Sequence, residues 1–181
     1  MSISALLERN RSFAATDVRQ QAPALPFIPN QLSFVITCID PRTEPAAILG
    51  VELGDAIVER VVGGRVTPAV VEDVAYISYL VETKAPGGPW FDLAVIHHTD
   101  CGSGFLADQA LRHGFAERGG YDEQVLAEMA VTDPAVTVRE DVQRLISAPQ
   151  LSDRVKVSGY AYDVSTGLVE TVVEPTFVGT S

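Results

Sequence analysis

The chain has 181 residues and a net charge of −11, with 24 acidic against 13 basic residues. Nucleic-acid binding relies on clustered Lys and Arg, and the basic residues here are scattered, so we expect no nucleic-acid partner. No stretch approaches the roughly 20 apolar residues that span a bilayer, which predicts no membrane insertion. The length and a hydrophobic content of 46% predict one domain over residues 1–181.

The two cysteines indicate a reducing compartment rather than a disulfide framework. The first ten residues lack a basic segment followed by an apolar one, so they do not have the pattern of a secretory signal. We therefore expect a cytoplasmic protein.

The first part of the chain predicts an N-terminal helix and arm over residues 1–30, followed by two strands and a helix. Residues 5–14 have a helical pattern, and Gln21–Pro29 has three prolines that favour an extended arm. Leu32–Cys38 is a short β-branched run typical of a buried strand. Asp55–Val62 predicts a second strand, and Thr67-Pro68 supplies an N-cap and an N1 proline for a helix to about Thr83.

The second part of the chain begins after a breaker cluster, Ala85–Pro89. It predicts a strand over Phe91–His97, helices at about 104–115, 123–130 and 136–147, and strands over 154–164 and 168–173. Residues 174–181 are expected to form an extended or mobile tail. Strands separated by helices indicate an α/β fold with a mainly parallel sheet.

A candidate zinc site combines Cys38 with His98 and Cys101. In parallel sheets ligands gather beyond the carboxyl ends of the strands, and both halves of this site lie at predicted strand ends. Two thiolates and an imidazole suit one tetrahedral zinc ion. Because successive residues of a strand point opposite ways, only one of His97 and His98 should face the metal, and the His-x-x-Cys spacing selects His98.

Three interpretations of this cluster remain open on the residues alone. Asp40 could be a fourth ligand that closes a structural zinc site. Cys38 and Cys101 could be core thiols without metal. The third interpretation leaves one zinc position open for water, whose pKa the metal would lower to about 7.

Asp40 and Arg42 decide between an open and a closed site. Two residues apart on an extended loop, they can pair through a bidentate contact that holds the carboxylate off the metal. The alternative is an ordinary ion pair that braces the loop. Gly63 and Gly64 could bring backbone amides to a small anion or simply form a tight turn, and Gly102 opens a helical segment beside Cys101.

The sequence resembles the β-class carbonic anhydrases in Cys38-Ile39-Asp40-Pro41-Arg42 and His98-Thr99-Asp100-Cys101-Gly102. The likeness continues through Arg60–Gly64 and Gly159–Gly167, so it covers about residues 32–173. It is greatest for the small bacterial and fungal branch, which also includes hydrolases of carbonyl sulfide and carbon disulfide.

The resemblance implies four parallel strands with an added antiparallel edge strand, helices on both faces, and a homodimer or a dimer of dimers. It implies one zinc ion per subunit on Cys38, His98 and Cys101, with Asp40 and Arg42 as a catalytic dyad. In the family's closed form the aspartate binds zinc. The implied substrate pocket includes Val61, Gly63, Gly64 and Gly102.

Two departures from the family pattern concern the pocket. Val61-Val62 stands where the family often has Asn-Ala, and Gly102-Ser103-Gly104-Phe105 differs from the residues common after the ligand cysteine. The expected reaction is reversible hydration of carbon dioxide to bicarbonate, which makes the protein a zinc lyase. The alternative is zinc-dependent hydrolysis of carbonyl sulfide or carbon disulfide, and the third candidate is a non-catalytic, zinc-stabilised interaction module.

Overall fold

A five-stranded sheet organises the chain in the computed structural model, which describes residues 3–17, 27–88 and 90–180. The strands are β1 Ser33–Cys38, β2 Ala56–Val61, β3 Asp92–His98, β4 Lys156–Asp163 and β5 Leu168–Phe177. The helices are α1 Ile3–Ala14, α2 Pro45–Ile48, α3 Pro68–Lys84, α4 Gln109–Gly119, α5 Glu123–Glu128 and α6 Pro134–Ile146. Short 3₁₀ segments, Pro41–Thr43, Val62–Gly64 and Gly102–Ala107, follow β1, β2 and β3.

The strand order is β2-β1-β3-β4-β5, with parallel pairs up to β4 and an antiparallel pair between β4 and β5. This arrangement confirms the expected α/β class, with four parallel strands and an antiparallel edge strand. Because β1 lies between β2 and β3, the loops that follow these three strands meet at one edge of the sheet.

Capping residues explain where the two longest helices begin. Thr67 accepts a hydrogen bond from the backbone N–H of Val70, and Pro68 follows at the first helical position of α3. Asp133 accepts from the N–H groups of Ala135 and Val136 at the start of α6. The sequence around Thr67-Pro68 therefore predicts the start of α3 correctly.

The main core lies between the sheet and helices α3 and α6. It consists of alternate strand residues and the inward faces of both helices, among them Phe34, Ile36, Leu93, Val95, Val70, Val74, Val138, Val142 and Leu145. Each fully buried side chain of this kind contributes about 1.5–3 kcal/mol. A smaller cluster around Val35, Ile96 and Tyr162 lies on the other face, with Ile48 of α2 packed against it.

Two predicted elements have boundaries that differ from the structure by more than two residues. The helix expected at about 104–115 is a 3₁₀ segment followed by α4, because Asp108 accepts from the N–H of Leu111 and starts a new helix there. The last strand continues to Phe177 instead of ending at Val173, since Phe177 pairs with Lys156 of β4. The arm expected over Gln21–Pro29 lies largely outside the described residues.

Within the described ranges, none of the helices has the length and hydrophobicity that would let it cross a membrane.

Candidate metal centre

The three proposed ligands lie where two neighbouring strands end. Cys38 is the last residue of β1, His98 is the last residue of β3, and Cys101 follows after a tight turn. The parallel register pairs Thr37 with Ile96, so the carboxyl ends of strands β1 and β3 lie side by side. The topology of the sheet therefore brings residues that are far apart in sequence to one point.

The cluster has the dimensions of a metal site. The ligand atoms of Cys38, His98 and Cys101 all lie within 4.8 Å of one another, and all three residues are buried. The two sulfur atoms are 3.9 Å apart. Two thiolates about 2.3 Å from a tetrahedral zinc ion would lie about 3.8 Å apart, so the donor set and spacing fit zinc.

The orientation of His98 is fixed by its other ring nitrogen. Nδ1 lies 2.9 Å from the carbonyl oxygen of Thr99, which can only accept, so Nδ1 carries the proton. Nε2 then has a free lone pair; it is buried and has no hydrogen-bond partner among the described residues. A buried, unpartnered nitrogen beside two sulfur atoms is an observation that fits a metal ligand.

Backbone and side-chain donors surround the two sulfur atoms. The backbone N–H of Asp40 lies 3.4 Å from Cys38 Sγ, and that of Gly63 also donates to it. The hydroxyl of Ser103 lies 3.2 Å from Cys101 Sγ. The hydrogen bond between the two sulfurs lowers the pKa of Cys101 and raises that of Cys38, so Cys101 ionises first in the absence of metal.

Asp40 and Arg42 form a bidentate pair. Arg42 donates through Nε to Asp40 Oδ1 at 2.9 Å and through Nη2 to Oδ2 at 2.8 Å, and its backbone N–H also reaches Oδ1. These bonds lower the pKa of Asp40 to about 2. Arg60 of β2 donates to the carbonyl oxygens of Cys38 and Asp40, which holds the loop in place. Asp40 is thus an ionised acceptor at neutral pH.

Asp100 is a further anchor for Arg42. Its carboxylate accepts from Arg42 Nη1 at 2.6 Å, and its carbonyl oxygen accepts from Nη2 at 2.9 Å. Asp100 has a φ of 54°, a left-handed conformation that Asp tolerates better than most residues. The turn between His98 and Cys101 therefore also orients the guanidinium of Arg42.

His97 points to the opposite side of β3 from the cluster. Its Nδ1 lies 2.8 Å from the hydroxyl of Thr137, and its Nε2 lies 3.1 Å from the carbonyl oxygen of Gly64 and 3.3 Å from Asp141 Oδ2. Because both partners of Nε2 are acceptors, Nε2 carries a proton. Asp141 also accepts from the N–H of Val66, so α6 holds the segment that directly follows the Gly63-Gly64 turn.

The residues expected in the substrate pocket have different environments. Val61 packs against the main core, whereas Val62 next to it is exposed. The φ of 70° at Gly63 and of 69° at Gly64 produces the turn beside Cys38. Gly102 begins the 3₁₀ segment after Cys101.

Three residues of this region make contacts that sequence reasoning did not assign. Ser103, Thr137 and Asp141 are all buried and polar. Ser103 could have been found from its place two residues after a ligand cysteine. Nothing in the local sequence of Thr137 or Asp141 points to His97, because only the packing of α6 brings them there.

Comparisons with known proteins identify similar sequences and similar solved structures. Residues 33–131 match the family model described as carbonic anhydrase. The β-carbonic anhydrase 1 of Mycobacterium tuberculosis is 26% identical over 148 residues, which cover 82% of this chain and 86% of that protein. The carbon disulfide hydrolase of Acidianus sp. is 23% identical over 160 residues, 76% of this chain and 75% of that protein.

The fold is also similar to a solved structure. The carbonic anhydrase from Streptococcus mutans superposes with a TM-score of 0.76 and 29% sequence identity, covering 95% of this chain and 98% of that one. The family model spans more than half of the chain and includes Cys38, Asp40, Arg42, His98 and Cys101. The chain therefore belongs to the β-class carbonic anhydrase family, a family of enzymes whose relatives here include a carbon disulfide hydrolase.

Proposed function

We propose that this protein is a zinc enzyme, a lyase that catalyses the reversible hydration of carbon dioxide to bicarbonate. The observation that carries the proposal is the bidentate pair between Asp40 and Arg42 beside a three-ligand cluster. A structural zinc site needs no such pair, because its fourth position is filled by a protein ligand.

Cys38, His98 and Cys101 would hold one zinc ion per subunit. Bound there, zinc would supply a Lewis acid that makes water nucleophilic near neutral pH. Arg42 keeps both oxygens of Asp40 occupied, so the carboxylate stays off the metal in the proposed active form. Release of Arg42 would free Asp40 to become a fourth ligand.

Asp40 has a second role in the proposal. With a pKa near 2 it is ionised at neutral pH and can only accept a hydrogen bond. It would therefore orient the attacking water by accepting a hydrogen bond from it, while Arg42 balances the carboxylate charge. Ile39 precedes Asp40, and its N–H donates to the carbonyl oxygen of Val61 at the end of β2. The exposed side chains of Ile39 and Val62 would therefore offer apolar surface to an uncharged linear substrate.

A second candidate function is hydrolysis of carbonyl sulfide or carbon disulfide, which releases hydrogen sulfide. Two observations favour it: the Acidianus relative is a carbon disulfide hydrolase, and Val61 stands where the family often has a polar asparagine. The non-catalytic module is the weakest candidate, since a structural zinc site needs no such pair beside it.

The test uses zinc-loaded protein in two assays: stopped-flow carbon dioxide hydration and sulfide release from carbonyl sulfide or carbon disulfide. We expect hydration to dominate and Asp40→Ala to reduce it by about 10²-fold or more, as for loss of a positioned acid–base group. Asp153→Ala, an exposed carboxylate between α6 and β4, is the control and should retain full activity.

The outcomes distinguish the three candidate functions and test the role of Asp40. Sulfide release with negligible hydration would replace the proposal by the hydrolase, and no turnover of any substrate would favour the module. Equal activity of Asp40→Ala and wild type would remove Asp40 from the mechanism.

We also propose a cytoplasmic homodimer or dimer of dimers. Helix α1 has no buried residue and exposes Ile3, Leu6 and Leu7, although an isolated helix of 12 residues is marginal in water. Cys38 and Cys101 must stay reduced to bind metal, which a cytoplasmic location favours. Sedimentation of the full chain should give a dimer or tetramer, and a monomer at micromolar concentration would contradict this part of the proposal.

A further inference from the structure

Ser103 lies beside the candidate metal centre without being one of its ligands. It is 6% exposed and is the second residue of the 3₁₀ segment that follows Cys101. Its hydroxyl oxygen is 3.2 Å from Cys101 Sγ and 3.3 Å from the backbone nitrogen of Val131. Both neighbours are themselves buried.

The direction of these hydrogen bonds follows from the donors available. The backbone N–H of Val131 can only donate, so the Ser103 oxygen accepts from it. A serine hydroxyl has one proton, and Cys101 Sγ is the other hydrogen-bond partner of Oγ among the described residues. A metal-bound thiolate can only accept. The proton of Ser103 therefore points at the sulfur of Cys101.

Gly63 leaves the space that this hydroxyl occupies. A Cβ at Gly63 would lie 2.7 Å from Ser103 Oγ, and its φ of 70° is one that other residues rarely adopt. The same turn directs the Gly63 N–H at Cys38. The Gly63 turn thus donates its N–H to the sulfur of Cys38 and leaves room for the Ser103 hydroxyl that donates to the sulfur of Cys101.

We propose that Ser103 is a positioning residue that fixes the Cys101 thiolate and withdraws electron density from it, so that the bound metal is a stronger Lewis acid. This inference rests on the proposed function, because it assumes a metal held by Cys101. Partners of metal ligands orient them and tune the metal, and their loss typically costs 10–100-fold in affinity or activity. Ser103 therefore acts through Cys101 and needs no contact with substrate.

The test replaces zinc by cobalt(II), whose charge-transfer absorption reports directly on the sulfur ligands. In Ser103→Ala we expect the sulfur-to-cobalt band to move to lower energy, because the thiolate is no longer stabilised by the hydroxyl. We also expect cobalt affinity to fall about tenfold. Ser103→Thr, which keeps a hydroxyl, should return the band towards its wild-type position.

Ser158→Ala is the matched control. Ser158 is 5% exposed and donates its hydroxyl proton to the carbonyl oxygen of Leu93, so the substitution removes an equally buried hydroxyl from the middle of the sheet. Its cobalt band should not move. If Ser103→Ala does not fold, Ser103→Val is compared with Ser103→Thr, since the two side chains have the same shape and differ by the hydroxyl, and only Ser103→Val should shift the band.

The hydration rate gives a second readout. Weaker Lewis acidity in Ser103→Ala should move the rising limb of the kcat profile to higher pH, whereas a purely structural defect would lower kcat at every pH. An unmoved band in folded Ser103→Ala, or an equal shift in Ser158→Ala, would overturn the role of Ser103 and leave the proposed function standing. Absence of any sulfur-to-cobalt band in the wild type would overturn both.

Discussion

Gly64→Ala should destabilise the protein more than a glycine substitution at any unconstrained turn. Gly64 has a φ of 69°, and a Cβ there would lie 3.0 Å from the carbonyl oxygen of Ile96 and 3.2 Å from the backbone nitrogen of Cys38. A side chain in the left-handed region costs about 1–2 kcal/mol. Overpacking against backbone atoms adds about 1–3 kcal/mol, so the expected loss is about 2–5 kcal/mol.

Gly120→Ala separates these two contributions. Gly120 has a φ of 67° at the end of α4, but a Cβ there would meet nothing within 4 Å. It should therefore lose only about 1–2 kcal/mol. In urea denaturation of the zinc-loaded protein, with a slope of about 2 kcal/mol per M, the Gly64→Ala midpoint should lie about 0.5–1.5 M below that of Gly120→Ala.

Metal affinity provides the functional half of the same test. Because the methyl group at Gly64 presses on the backbone of Cys38, zinc affinity should fall by about tenfold or more in Gly64→Ala and stay at the wild-type level in Gly120→Ala. Equal urea midpoints and equal zinc affinities for the two variants would refute the argument that Gly64 packs too closely against the backbone of Cys38 to accept a side chain.

Two further predictions concern charged groups. Arg42→Lys keeps the charge but loses the bidentate contact with Asp40, so kcat/KM for hydration should fall about 10–100-fold, whereas Arg139→Lys, a matched exchange at an exposed arginine, should have no effect. Burial and the charge of Asp73 raise the pKa of Glu59 to about 7. A raised carboxyl pKa means that the stability of the wild type falls as pH rises from about 4.5 through 7. The free energy of unfolding of Glu59→Gln minus that of the wild type should therefore be larger at pH 8 than at pH 5. The gain is on the order of 1 kcal/mol, because Glu59 is half-exposed and screened by solvent, and an equal difference in urea midpoint at both pH values would contradict it.

The convergence of Cys38, His98 and Cys101 could be predicted from the sequence because it depends on simple rules. Cys38 and His98 end apolar runs that predict parallel strands, and the carboxyl ends of such strands share one edge. Alternation along a strand separates the two histidines, and in the structure His98 joins the cluster while His97 contacts Thr137. These inferences need only the type and order of the elements.

The surroundings of the cluster could not be predicted in the same way. Asp100 reaches Arg42 because the turn after β3 adopts a φ of 54° at that residue. Asp141 reaches Val66, just after the glycine turn, because α6 packs over that segment. Both depend on backbone angles and helix placement that local pattern does not determine. The break between the 3₁₀ segment and α4 at Asp108 could not be predicted for a similar reason. There the side chain of Asp108 caps a new helix instead of letting the preceding turn continue.

X-ray absorption at the zinc edge, recorded on zinc-loaded wild type and Asp40→Ala at neutral pH, tests the central claim most directly. The account predicts two sulfur ligands at about 2.3 Å and one imidazole nitrogen at about 2.0 Å, with a coordination shell that Asp40→Ala leaves unchanged. Fewer than two sulfurs would contradict the assignment of Cys38 and Cys101. Loss of an oxygen ligand in Asp40→Ala would contradict the claim that Arg42 holds Asp40 away from the metal.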